Sequence, residues 1–214
     1  MRAETSAQET IHRGRPWRVH TLCPDFTLLD LWTIPIEAVP ARGQDFASFY
    51  RVFVANGTTT DSVLANLLFA TRFWLGRMFH LDDAARIAIP GCQETSVADR
   101  LSTEDRAANH ADRITLPTAP VPVSPIYLYE DEALLEISNR TIHALLHLGW
   151  VDGSAGHKIV VLAVYIKSRG LWSDAYMTLI KPFRHALVYP PWIARICRAW
   201  DEAVTATISC GARS

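Results

Sequence analysis

IYLYEDEALLEISNRTIHALLHLGWVDGSAGHKIVVLAVYIK, residues 126–167, decides the fold. Three apolar runs rich in β-branched and aromatic residues, at 126–130, 133–151 and 157–167, are separated by Asp131-Glu132 and by Asp152-Gly153-Ser154. Strand-like runs joined by short polar turns predict an antiparallel meander. A fourth run, LWSDAYMTLIKPF from Leu171, follows a Ser168-Arg169-Gly170 turn and is expected to extend it.

Upstream, LLDLWTIPI (28–36) reads as a first strand that leaves the sheet at Pro35 or soon after. Phe46, Phe49, Tyr50 and Phe53 then recur on one face of a helix. Asp61 can cap a second helix to about Phe79, with Leu64, Leu67, Leu68, Thr71, Trp74, Leu75 and Met78 as its stripe. From His80 to Pro125 there is no Phe, Trp or Tyr, so this long polar excursion has few anchors, with one helical stretch expected within Glu94 to Arg106. Downstream, a helix is expected to start near Pro190 or Pro191, because proline is tolerated in a first turn. Ile193, Ile196, Cys197, Trp200 and Val204 line its apolar face, which should lie on the sheet. The fold class is α+β with segregated helices.

The chain has 214 residues, 49% hydrophobic and 20% charged, which suits one globular domain with a core of its own. Residues 1–20 read as a flexible N-terminal tail, 21–208 as the domain and 209–214 as a tail; little weight falls on the basic cluster of Arg13, Arg15 and Arg18 with Trp17. A formal net charge of -1 offers no basic field for nucleic acid. Cys23, Cys92, Cys197 and Cys210 are scattered without zinc-like spacing and read as reduced thiols in a cytoplasm. No signal-peptide pattern and no apolar run of membrane-spanning length are present.

PDFTLLDLW (24–32), TRFWLGRMFHLDD (71–83), ETSVADRLSTEDR (94–106), EALLEISNRTIHALLHLGWV (132–151) and YMTLIKPFRHALVYP (176–190) carry a resemblance. The chain resembles the helix-grip (START-like, SRPBCC) superfamily of birch-pollen-allergen and polyketide-cyclase-like proteins, in which a curved antiparallel sheet wraps a long C-terminal helix. More closely it is similar to a bacterial domain-of-unknown-function family placed near that superfamily, some of whose members are fused behind short-chain-dehydrogenase-like domains. It departs from the pattern in showing about five convincing strands rather than seven, and in the order Arg184-His185. The resemblance implies a cavity between sheet and C-terminal helix for a small hydrophobic or amphipathic molecule, and a short-chain-dehydrogenase-like protein as a partner; it implies no cofactor.

His143 and His147 would meet on a helix, but the segment reads as a strand, where four residues span roughly 13 Å, so no metal site is expected. On a single strand Glu136, Ser138 and Arg140 would share one face, with His143 on the other. Neither a GxSxG elbow nor a phosphate-binding glycine loop occurs. The candidate ligand-binding residues are Trp74, Glu136, Arg140, His143, Tyr165, Arg184 and His185. Two alternatives to simple binding stand: a cofactor-independent cyclase, dehydratase or isomerase using Tyr and His as general acid and base, and an accessory interaction module with no cavity.

Overall fold

The computed structural model describes residues 9–38, 44–56, 95–111, 123–138, 142–153, 157–168, 181 and 184–211. Among these residues five strands, β1 (Thr27–Ala38), β2 (Ser124–Leu128), β3 (Glu132–Ser138), β4 (Ile142–Asp152) and β5 (Lys158–Ser168), form one antiparallel sheet in the order β1-β5-β4-β3-β2. The meander expected over 126–167 is therefore present as β2 to β5, and β1 returns to pair with β5 at the far edge. β1 runs past Pro35 to Ala38, with an irregularity in the pairing between Ile34 and Ala38.

The run at 133–151 is two strands rather than one. β3 and β4 pair antiparallel from Ser138 opposite His143 to Glu132 opposite Gly149. Residues opposite one another share a face, and His143 stands opposite Ser138, two places along β3 from Glu136, so Glu136 and His143 are diagonal neighbours on one face, where a single strand would have separated them. The second predicted helix (61–79) and most of the fourth strand-like run lie outside the described residues.

One sheet face carries α-helices α1 (Phe46–Asn56) and α2 (Tyr189–Gly211). Phe49, Phe53, Ile193, Ile196 and Trp200 come down from these helices onto Leu135, Leu148, Trp150, Leu162 and Val164 of the sheet. The Phe49 ring lies 6.1 Å from Trp150 and 5.7 Å from Trp200, which it meets edge to face. The helical spacing read from the sequence for both elements has this packing as its cause.

The opposite face is also covered, which corrects two expectations. Within the supposed tail, residues 9–13 and Arg18–Leu22 are helical, and His12, Trp17 and Val19 are buried. The excursion is likewise anchored at Val97, the first residue of a short 3-10 helix (Val97–Arg100), and at Leu101 just after it, and a helix at Thr103–Ala108 follows. Ser102 and Asp105 cap that last helix reciprocally. Arg18 ties the two coverings together, its Nε 2.7 Å from Asp105. Trp17, Val19, Phe26, Val97 and Leu101 pack against Leu134, Leu145, Ala163 and Tyr165. Gly149 is required here: a Cβ at that position would stand 2.9 Å from the Trp17 ring. Among the described residues, no helix is long and apolar enough to cross a membrane.

Candidate functional site

The covered second face carries a row of buried polar side chains. Glu132 and Glu136 project onto it from β3, and the β3/β4 register brings His147 and His143 alongside them. His147 Nε2 is 3.0 Å from Glu132 and His143 Nε2 is 2.6 Å from Glu136. Both glutamates are only 5% exposed, a placement that is costly for a carboxylate unless its oxygens are well supplied with donors. They are. Glu132 also accepts from the Arg18 backbone N–H at 2.7 Å and the Tyr127 hydroxyl at 3.0 Å. Glu136 accepts from the Ser96 hydroxyl at 2.6 Å and the Val97 N–H at 2.9 Å. Burial pushes the Glu136 carboxyl up, but hydrogen bonds from His143, Ser96 and Val97 outweigh it and hold the group below its ordinary value.

Above β4 and β5 the N-terminal arm adds two more histidines. The His12 ring lies 5.3 Å from both His20 and His147, and Trp17 is 5.3 Å from His147. The Tyr165 hydroxyl from β5 sits between His12 Nε2 at 2.8 Å and His20 Nε2 at 3.2 Å. His20 Nδ1 faces the Arg15 carbonyl at 3.1 Å, so that nitrogen carries the proton. Burial lowers both rings below the usual histidine range, His12 to about 3 with further help from His147 and His20. Neutral rings leave one assignment: His12 Nε2–H donates to the Tyr165 oxygen, and the Tyr165 hydroxyl donates to His20. Burial raises Tyr165 as well, so the chain is uncharged. His12 Nδ1 and His147 Nδ1 are buried with no hydrogen-bond partner among the described residues.

Beside this chain lies a cleft of about 210 Å³, lined by Ile11, His12, Arg15, Leu31, Thr33, Val151, Asp152, Ile159 and Val161. Its walls are mostly apolar, and His12 joins it to the Tyr165 relay. Burial pushes the Cys23 thiol, in the core of the same face, up to about 12, away from the range of a reactive thiolate. Among the described residues no group of three or more His, Cys, Asp or Glu is placed to hold a metal ion.

A second polar cluster lies on the helix-covered face. His185 Nε2 is 2.6 Å from Asp30 Oδ1, and the Tyr189 hydroxyl donates to Asp30 Oδ2 at 2.8 Å. Asp30 is buried in β1, while His185 belongs to a π-helical turn (Arg184–Val188) that leads into α2. Trp32 packs against both His185 and Tyr189. The cluster fastens the start of the long helix to the edge strand.

Of the predicted site residues, Glu136 and His143 form one pair, Tyr165 belongs to the histidine chain, and His185 stands apart at Asp30. None of these four lines the cleft. Trp74, Arg140 and the Arg184 side chain lie outside the described residues. Among the described residues, Phe49, Trp150 and Trp200 pack between the sheet and α2, where a ligand was expected; the cleft described above lies on the other face. The sequence did not single out His12 and His20, both in HRGRPWRVH (12–20), nor Asp30 and Glu132, and Arg15 stood out only within a basic cluster given little weight. The available signal was Trp17 among charged residues, a large aromatic that needs a place to be buried.

The model of one protein family, described as Protein of unknown function (DUF2867), matches residues 22–191. No curated protein and no protein of solved structure matches the chain. The matched stretch holds the whole sheet, both glutamate–histidine pairs and Tyr165. It excludes His12, Arg15, Trp17 and His20.

Proposed function

Since the chain belongs to this family of proteins of unknown function, we propose that it acts as a single domain binding a small amphipathic molecule in the cleft between its N-terminal arm and the second sheet face. The observation that carries the reading is the cleft itself: an apolar hollow of about 210 Å³ with a few polar groups converging at one side, the usual make-up of a ligand site. Its volume is below the roughly 300–1,000 Å³ of drug-sized pockets, so the ligand is small. A five-stranded antiparallel sheet packed on a long C-terminal helix supports a helix-grip-like architecture related to the START-like proteins. In this reading the ligand sits on the face away from that helix.

Amide chemical shifts of the protein, followed during titration with small aromatic and aliphatic fragments, test the proposal. Binding should move the signals of Thr33, Val151 and Val161, and Thr33→Phe, which fills the hollow, should abolish the response. An unresponsive wild type, or a Thr33→Phe variant that responds equally, would sink it.

The placement of Tyr165 between two neutral histidines favours a second reading, an enzyme without cofactor that moves a proton through this relay. Tyr165→Phe separates the two. It should leave fragment binding intact in either case and remove turnover only in the second.

A further inference from the structure

We infer that Arg15 receives the carboxylate of a small acid whose apolar part, a single aromatic ring or a short alkyl chain, occupies the cleft; this inference rests on the binding reading above. The charges of the N-terminal arm point to Arg15. Arg13 is paired with Glu9 at 2.9 Å, and Arg18 with Asp105 at 2.7 Å. Arg15 makes no side-chain hydrogen bond or ion pair among the described residues. It is half-buried, lines the cleft, and holds its guanidinium 5.7 Å from the Trp17 ring centroid. A guanidinium backed by an aromatic face keeps a fixed plane, with a fork of donors suited to a planar carboxylate.

The remaining groups fit an anion with an apolar body. His12 is neutral because it is buried, so Arg15 is the positive charge on this wall. Asp152 also lines the cleft and attracts Arg15 through space, but its carboxylate is engaged by Lys158 at 2.6 Å and is 84% exposed, where solvent screens it. Leu31, Val151, Ile159 and Val161 make an apolar floor, and Ile11 at the rim is 61% exposed, apolar surface that a ligand would cover. As for size, a cavity of about 150 Å³ lined by apolar side chains is known to hold benzene. One ring with a carboxylate arm fits about 210 Å³, whereas a lipid or a nucleotide does not.

The test is calorimetric titration of the full chain with phenylacetate and with phenylacetamide, its neutral isostere, while amide signals of the cleft are followed in parallel. Wild type should bind phenylacetate more tightly than phenylacetamide, with affinity that falls as salt rises. Arg15→Gln should weaken phenylacetate at least tenfold and leave phenylacetamide unchanged. Arg15→Lys, which keeps the charge but not the fork, should fall between them. If both compounds bind alike and Arg15→Gln changes neither, the carboxylate assignment is overturned while the cleft reading stands. If neither compound binds and no cleft amide responds, both are overturned together.

Discussion

His12 shows how one side chain can set the acid response of the molecule. Its folded pKa, about 3, lies below the ordinary 6.5 because the ring is buried against His147 and His20, with Arg13 and Arg15 also near. As pH falls through 6.5 the unfolded chain takes up a proton that the folded chain refuses until about 3, so stability declines across that window. The upper limit is about 1.4 kcal/mol per pH unit for one group. Glu136 adds a second limb of opposite origin: its depressed carboxyl stabilises the fold above the unfolded value of 4.5, and that contribution disappears as pH falls through its lower folded value. His12→Gln should therefore flatten the loss of stability in urea melts from pH 6.5 down towards 3, most visibly between pH 6.5 and 5, and leave in place the loss below 4.5 that Glu136 causes. Equal slopes for wild type and variant over the upper window would show that His12 is not held neutral by the fold. Nothing in the sequence singled out His12. In a segment without strand or helix periodicity a residue has no assigned face until its covering partner is known, whereas Tyr165 and His143, inside periodic runs, could be recognised as polar positions on a sheet.

At the scale of elements, periodicity was legible wherever one partner alone set the pattern. The C-terminal helix illustrates this: Ile193, Ile196 and Trp200 recur at helical spacing because they all meet the same sheet face. Trp200 is 3% exposed and packs edge to face on Phe49. Trp200→Ala should cost about 3–5 kcal/mol in denaturant melts, as for other buried aromatics; a loss under about 1 kcal/mol would contradict the seating of this helix on the sheet. The β3/β4 hairpin was less legible. Both strands are buried on both faces, so the run from Ala133 to Val151 shows little of the polar alternation that would mark its two halves, and Asn139-Arg140 is not a strong turn signature. The site depends on that pairing, since Glu136 meets His143 only because β4 runs antiparallel beside β3.

For the whole molecule, composition pointed to a single core, but the described residues form two, one on each side of the sheet. The second core was hidden because its outer layer comes from segments with few hydrophobic residues, namely the N-terminal arm and residues 95–108, fastened by Arg18–Asp105 and by backbone donors to Glu132 and Glu136. The arm is thus both a wall of the cleft and part of the fold. Deleting residues 1–21 removes Trp17 and Val19, each contributing about 1.5–3 kcal/mol by burial. It also takes the Arg18 N–H from the buried Glu132 carboxylate and both histidines from Tyr165, and an undersupplied buried charge costs about 3–5 kcal/mol. Together these approach the roughly 5–15 kcal/mol that holds a domain folded. The truncated chain should accordingly lose its cooperative thermal transition, bind a hydrophobic dye strongly and associate at micromolar concentration, because Leu134, Leu145 and Ala163 would be left without cover. A truncated chain that stays monomeric and melts like the full one would mean that the arm is a passenger. The cleft, which needs Ile11, His12 and Arg15 for one of its walls, would then have to be discarded as a built site.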